Sequence, residues 1–378
     1  MDFHLINKVK YTKIQYFIKN GKLFGETKFS NCMHFFFEKV EFSDNSTFSD
    51  NSEFSELSNI YSKADNIFNG IIYYSKITNL KNTNELNYLN LMKKILSEGE
   101  KRQDRTGTGT LSLFGESMSF QLKCINGYYQ IPVLTTKKVP WKMIINELLF
   151  FLKGYTDTKL LEAENVNIWK GNTSKEFLEK RKLNYTEGDM GPMYGFNFRH
   201  FGAEYIGSNP TQQDYTDSGF DQLKYVENTI KTDPFSRRIL MTSFDPSSAE
   251  LGCLYPCHSL ILQFYVSKEF LDLVAYSRSC DFFLGAPFNL TSYAILLCII
   301  AKRTGLIPRN IKFNMGDVHI YNNHAIQCKQ QLKNNIKCMP LLKIDDSIKK
   351  KDYVDFKITD FDLIGYFPGP VIKADMAI

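Results

Sequence analysis

The residues Ala294-Ile-Leu-Leu-Cys-Ile-Ile-Ala301 form the longest uninterrupted apolar run in the chain and constrain its fold more than any other feature. They lie in a stretch of helical character, Asn289 to Thr304, that Gly305 is placed to stop. The run is far shorter than the roughly 18 to 20 apolar residues that cross a bilayer, so such a helix belongs inside a protein core. A chain of 378 residues, 43% hydrophobic and 23% charged, can build that core, and a wholly disordered chain is excluded. The N-terminus lacks a basic segment followed by an apolar one, and eight scattered cysteines without C-x-x-C pairs argue for reduced thiols. The expectation is a soluble, cytoplasmic protein in a reducing compartment, with no membrane contact. A formal charge of +5 suits anionic small molecules and makes no case for DNA binding.

Residues 1–84 are rich in Asn, Ser, Lys and Phe, and Phe42, Phe48 and Phe54 recur in a polar stretch that reads as an exposed loop. A domain boundary is expected between Thr78 and Glu85. From there Leu86, Leu89, Met92 and Leu96 are spaced for a helix that stops at Gly99. Trp141 to Lys153 reads as a second helix, apolar around most of its circumference and closed by Gly154. Ser259–Val266 and Phe270–Tyr276 read as a hairpin whose second strand continues to Asp281. Helices mixed with antiparallel-looking strands predict an α+β domain over residues 85–378.

Within this frame Cys257 stands at an element end in Pro256-Cys257-His258, where it is either a buried thiol or a nucleophile. A nucleophilic thiolate needs nearby positive charge, and Arg105, Arg237, Arg238 and Arg278 are the candidates. The same arginines suit a phosphate clamp or a solvated surface. Cys253, Cys257 and His258 have no further metal ligand nearby in sequence, so no metal is expected. Glu147, inside an apolar helix, either reaches solvent or has a raised pKa suited to proton handling. Asp317, His319 and Tyr321 share a strand face by period two, as a ligand wall or a solvated face. Arg105-Thr-Gly-Thr-Gly-Thr110 lacks the Lys-Ser/Thr of a P-loop and the third glycine of a dinucleotide fingerprint.

Taken together, Asp104-RTGTGTLSLFG, Asn146-ELLFFLKG, Gly188-DMGPMYGF, Ser236-RRI, Pro256-CH, Arg278-SCD, Gly285-APFN, Gly316-DVHIYNNH and the final MAI resemble the thymidylate synthase family, from about Leu86 to Ile378. The resemblance implies a mixed and antiparallel sheet packed with helices, dimerising through the sheet face. It implies methylation of dUMP to dTMP with 5,10-methylenetetrahydrofolate as carbon and hydride donor. Cys257 matches the nucleophile, His258 its neighbour, and Glu147 and Tyr194 the groups that organise water and protons. Arg105, Arg278 and Ser279 match phosphate ligands, with Arg237 and Arg238 given to the other subunit of a homodimer. Asn289 matches the reader of the uracil edge, and His319 and Tyr321 match contacts to the deoxyribose. Asp281 lies with the dUMP contacts and also, with Trp169, Gly285, Phe288 and Ala377, on the folate side. Phe244, Asp245, Tyr255, Lys170, Ser277 and Pro140 depart from the usual pattern, which bears on folate affinity rather than on reaction type.

The segment from Tyr16 to Phe42 is similar to the closing third of dihydrofolate reductase, where a glycine pair, a helix and a strand follow one another. It is too short to complete a reductase, and the resemblance implies a truncated remnant and an association with a separate reductase. Two other readings compete with a synthase. One is a pyrimidine hydroxymethylase, against which Asn289 argues; the other is a weakened homologue kept for binding.

Overall fold

A computed structural model describes residues 13–19, 22–28, 34–36, 83–208 and 215–376. Near the N-terminus, β1 (Lys13–Lys19), β2 (Lys22–Lys28) and β3 (His34–Phe36) form a three-stranded antiparallel sheet in which Lys19 pairs with Lys22. The described parts of the segment that resembles the end of a reductase are thus strands. Asn20-Gly21 between two alternating runs is a strong two-residue hairpin signal. The Phe42, Phe48 and Phe54 stretch lies outside the described residues.

The domain opens with α1 (Thr83–Glu98), three residues before Leu86. The expected stripe is shifted: Leu86 is 37% exposed, while Tyr88, Leu89, Met92 and Ile95 are buried. The early start has a physical reason. Asn84 Nδ2 donates to the Gln121 carbonyl at 2.7 Å, and the buried Glu85 carboxylate accepts from the backbone N–H and hydroxyl groups of Thr135 and Thr136. After α1 come β4 (Glu100–Arg102), β5 (Thr110–Gln121), β6 (Lys123–Ile125), β7 (Tyr128–Gln130), α2 (Trp141–Leu152), α3 (Lys159–Ala163), α4 (Lys175–Lys180), α5 (Gly195–His200) and α6 (Gln222–Thr232). The second half holds β8 (Leu240–Met241), β9 (Ile261–Ser267), β10 (Phe270–Asp281), α7 (Gly285–Thr304), β11 (Ile307–Tyr321), α8 (Ala325–Gln331), β12 (Leu341–Ile344) and β13 (Phe361–Ile364).

The main sheet has six strands in the order β4-β5-β11-β10-β9-β8, with β10 and β11 parallel and the other pairs antiparallel. A smaller antiparallel sheet, β13-β12-β7-β6, completes the mixed α+β architecture. The hairpin β9–β10 forms as the alternation predicts, with Ser267 opposite Phe270. Its inward residues Leu262, Phe264, Leu271, Leu273 and Ala275 are buried, and Ile261, Tyr265 and Val274 point outward.

Against the buried face lies α7, packed on β10, β11 and α2. It starts a turn before Asn289 and ends at Gly305, whose φ of +77° is the left-handed cap a glycine adopts without a Cβ penalty. At 20 residues it is long and apolar enough by length and composition to cross a membrane. Tyr293 to Ala301 are nevertheless all buried in the core, where dispersion and apolar burial account for the composition.

Candidate active site

Parallel pairing of β10 with β11 sets Ser279 opposite Asp317 and Asp281 opposite His319, while antiparallel pairing with β5 sets Ser112 opposite His319 and Thr110 opposite Tyr321. One end of the sheet thus gathers the polar residues that the sequence places far apart. Asp317 is the hub there: its Oδ1 accepts from Ser112 Oγ at 2.8 Å and contacts His319 Nδ1 at 2.9 Å, and Arg102 reaches Oδ2 at 3.2 Å. The face shared by Asp317, His319 and Tyr321 is therefore an ordered wall rather than a solvated one. Tyr321 feels the charges of Asp281, Asp104, Arg105 and Cys257, and burial, ahead of those charges, pushes its phenol up to about 12.

Cys257 stands on the loop before β9, half-buried, beside Arg278 of β10. The Arg278 backbone N–H donates to the Cys257 carbonyl at 3.0 Å, and its guanidinium donates to the carbonyls of Pro256 at 2.9 Å and Tyr255 at 3.1 Å. The Cys257 N–H donates to Tyr194 Oη at 3.1 Å, and that hydroxyl is 3.7 Å from the Cys257 sulfur. Burial pushes the thiol up, while the Tyr194 hydroxyl and the Arg278 charge pull it back.

Tyr194 precedes α5 with φ +35°, a strained backbone for a bulky residue that costs about 1–3 kcal/mol. Its ring is fixed between Phe151, at 5.0 Å, and His258, at 4.5 Å. Burial lowers His258 to about 4, so it is neutral, and its Nδ1 lies 3.0 Å from Ser259 Oγ. Cys253 instead packs its sulfur 3.7 Å from Met193 Sδ, and no group of three or more His, Cys, Asp or Glu side chains among the described residues is arranged to hold a metal.

Glu147 is buried in α2 with its Oε1 accepting from Trp169 Nε1–H at 2.8 Å. Burial raises it from 4.5 to about 7, against the pull of the Trp169 bond, so of the two sequence readings the carboxyl that reaches solvent is ruled out and the buried one of raised pKa stands. Trp169 in turn lies 5.9 Å from the Tyr194 ring, linking the carboxyl to the thiol through one aromatic cluster.

Arg105 is exposed on a loop shaped by Asp104, whose oxygens accept from the N–H groups of Thr106 at 2.9 Å and Gly109 at 2.8 Å. A Cβ on Gly109 would lie 2.6 Å from Asn322 Nδ2, which donates to the Thr108 carbonyl, so the glycine lets this loop rest against the end of β11. Asp281 Oδ1 accepts from the N–H groups of Phe283 and Leu284, turning β10 into α7, whose first turns carry Gly285, Phe288 and the half-buried Asn289.

Arg237 and Arg238 are not brought to this cluster. They sit exposed beside the edge strand β8 next to Phe235, which is 83% exposed, and among the described residues their hydrogen bonds run through the backbone: Gln263 and Tyr225 donate to the Arg237 and Arg238 carbonyls, and the Arg238 N–H donates to Ser236 Oγ at 3.4 Å. Ala377 and Ile378 lie outside the described residues. Of the departures, Lys170 approaches Glu162 at 3.8 Å, Pro140 precedes α2, and Ser277 Oγ lies 3.3 Å from the buried Tyr293 hydroxyl. Asp245 accepts from the Ser247 backbone at 2.9 Å and its hydroxyl at 2.7 Å, and Phe244 N–H donates to Thr242 Oγ1 at 3.1 Å.

Three residues that support the candidate site from behind were missed in the sequence. Tyr293 Oη accepts from Ser259 N–H at 3.0 Å. Lys137, brought down to about 8 by burial, places its amine on the Phe283 carbonyl and 3.6 Å from that ring's centre, and His324 is fully buried. A lone tyrosine in an apolar helix or a lysine in a Lys-Lys pair carries no periodic signal that would have found them.

Residues 86–378 match the family model described as thymidylate synthase. The chain is 45% identical to human thymidylate synthase over 295 residues, 78% of this chain and 91% of that protein. It is 44% identical to the thymidylate synthase of Saccharomyces cerevisiae over 309 residues, 79% of this chain and 98% of that protein. The bifunctional dihydrofolate reductase-thymidylate synthase 2 of Arabidopsis thaliana is 45% identical over 292 residues, 77% of this chain. The chain spans 50% of that bifunctional relative's length.

Proposed function

The chain belongs to the thymidylate synthase family, and we propose that it methylates dUMP to dTMP with 5,10-methylenetetrahydrofolate as carbon and hydride donor, leaving dihydrofolate. The observation that carries the reading is the bonded unit of Cys257, Tyr194 and Arg278 beside the buried Glu147–Trp169 pair. In this reading Cys257, as thiolate, adds to C6 of the uracil ring. The C5–C6 electron pair shifts through C5 towards O4, leaving C5 nucleophilic, and covalent attachment divides one hard substitution into easier steps. Arg278 stabilises the thiolate, and Tyr194 and His258 hold the loop that presents it. Glu147, with a proton affinity near neutrality, moves protons between water and the ring.

Arg105, Arg278 and Ser279 bind the phosphate, Asn289 and Asp281 position the base, and His319 with Tyr321 holds the deoxyribose. Trp169, Asp281, Gly285, Phe288 and Ala377 line the folate side, and the folate supplies the one-carbon unit and the hydride; no metal takes part. Arg237 and Arg238 complete the phosphate clamp of a second copy in a homodimer. Their exposed guanidinium groups support this, as does the outward sheet face of Ile261, Tyr265 and Val274, where Tyr265 is 63% exposed. The bifunctional relatives support an ancestral or present association with a dihydrofolate reductase, of which residues 1–84 are a truncated remnant without activity of their own.

The test is the intact mass of the protein after incubation with 5-fluoro-dUMP and methylenetetrahydrofolate. A mass gain equal to both ligands, absent in Cys257→Ser, is expected. A folded dimer that gains neither ligand refutes the reading.

A further inference from the structure

After β13 the chain crosses the domain as a strap with a short series of polar anchors. Tyr366 Oη accepts from Val139 N–H at 2.8 Å, Gly369 N–H donates to the Thr135 carbonyl at 2.7 Å, and Lys138 N–H donates to the Pro370 carbonyl at 3.2 Å. The last anchor among the described residues is the Asp375 carbonyl, which lies 2.7 Å from His324 Nε2 and 3.5 Å from Asn323 Nδ2. His324 is fully buried between the rings of Phe283, at 5.5 Å, and Tyr321, at 5.6 Å. Its other nitrogen, Nδ1, is buried without a hydrogen bond and faces Asp281 Oδ1 at 3.8 Å.

This arrangement has one consistent chemistry. An Nε2–H donated to Asp375 leaves Nδ1 of a neutral ring as a bare acceptor pointing at a carboxylate, whereas a protonated ring offers a donor to each side. The charged groups around the ring are Asp281 at the end of β10 and Lys137 before α2, with the Tyr321 phenol beside them. Burial and Lys137 oppose protonation, but Asp281 and the Asp375 carbonyl raise the proton affinity above the ordinary histidine value overall.

We propose that His324 is a positioning residue that clamps the C-terminal strap against the site beside Asp281, and so governs folate capture more than dUMP binding. The inference rests on the reading above that folate lies against Asp281. The clamp acts through the strap, so its effect must disappear when the strap is removed.

The experiment measures tetrahydrofolate affinity by calorimetry with dUMP present, and dUMP affinity alone, for the full chain, His324→Leu, His324→Gln, a chain ending at Ala374, and that shorter chain carrying His324→Leu. Loss of one charge-assisted bond predicts about tenfold weaker folate binding in His324→Leu, with a clearly smaller loss of dUMP affinity through the neighbouring Asp281 and Tyr321. In the shortened chain the same substitution should change folate affinity less than about twofold. An equal loss in both backgrounds, parallel loss of dUMP affinity, or unchanged folate binding in the full chain overturns the clamp. If His324→Leu does not fold, His324→Gln, which keeps volume and one donor, gives the same comparison. Failure of the unaltered chain to bind folate at all refutes the synthase reading instead, and the clamp with it.

Discussion

Replacing Glu147 by Gln keeps the side chain's shape and an acceptor for Trp169 Nε1–H, and removes only the ability to ionise. The carboxyl is buried, and burial lifts it from 4.5 to about 7. A folded pKa above the unfolded one means that between these values the native state holds a proton that the unfolded chain has released. Stability is then undiminished below about pH 4.5, falls as pH rises, and has lost its full share above about pH 7. The gap from 4.5 to about 7 corresponds to roughly 3 kcal/mol. Glu147→Gln should therefore match the native chain at pH 5 and exceed it by up to about 3 kcal/mol at pH 8.5, in urea unfolding at fixed protein concentration. Its chemical step should be impaired more than its dUMP binding, the trade expected where a site keeps a destabilising group for use. Trp169 is one of two tryptophans, so in a Trp141→Phe background its emission reports the bonded carboxyl directly and should titrate near pH 7. A midpoint near 4.5, or a stability difference that does not change with pH, would refute the reasoning.

Four further outcomes are expected. Cys257→Ser should lose turnover and the covalent mass gain but retain dUMP affinity, because the phosphate clamp does not depend on sulfur; joint loss of affinity in calorimetry argues against that division of roles. Tyr194→Phe removes the acceptor of the Cys257 N–H and the hydroxyl beside its sulfur, so iodoacetamide alkylation should show a higher thiol pKa and turnover should fall by about tenfold or more. Gly109→Ala, at φ +75° and with its Cβ 2.6 Å from Asn322 Nδ2, should disturb the Arg105 loop and raise KM for dUMP more than it lowers kcat. Removing residues 1–78 should leave synthase activity intact, whereas a cut after Glu85 should unfold the domain, since Asn84 and Glu85 are bonded to Gln121 and to Thr135 and Thr136; melting curves of the two truncations check this.

The main elements were legible from residue order because their signals are local. The hairpin β9–β10 follows from alternation, α2 and α7 from apolar periodicity and a glycine stop, and both glycines, Gly154 and Gly305, do adopt positive φ. Limits were less legible, since α1 is drawn back to Thr83 by partners some 37 to 51 residues away. The candidate nucleophile and its arginines were visible as residue types at element ends. The resemblance divided the arginines between the two subunits, but their settings came from the fold: Arg278 donates to the carbonyls of the Cys257 loop, whereas Arg237 and Arg238 lie exposed beside β8.

By itself the sequence determined the helices, the hairpin, the buried core run and the set of residues able to do covalent chemistry, because these depend on periodicity and side-chain type. The tertiary structure alone decided that Glu147 is buried against Trp169 rather than solvated, that Asp317 organises His319, and that Tyr293, Lys137 and His324 pack behind the candidate site. Burial and hydrogen bonding between residues distant in the chain set those outcomes. Proton affinity follows the local dielectric and the nearest charge, and neither exists until the sheet has brought its strand ends together.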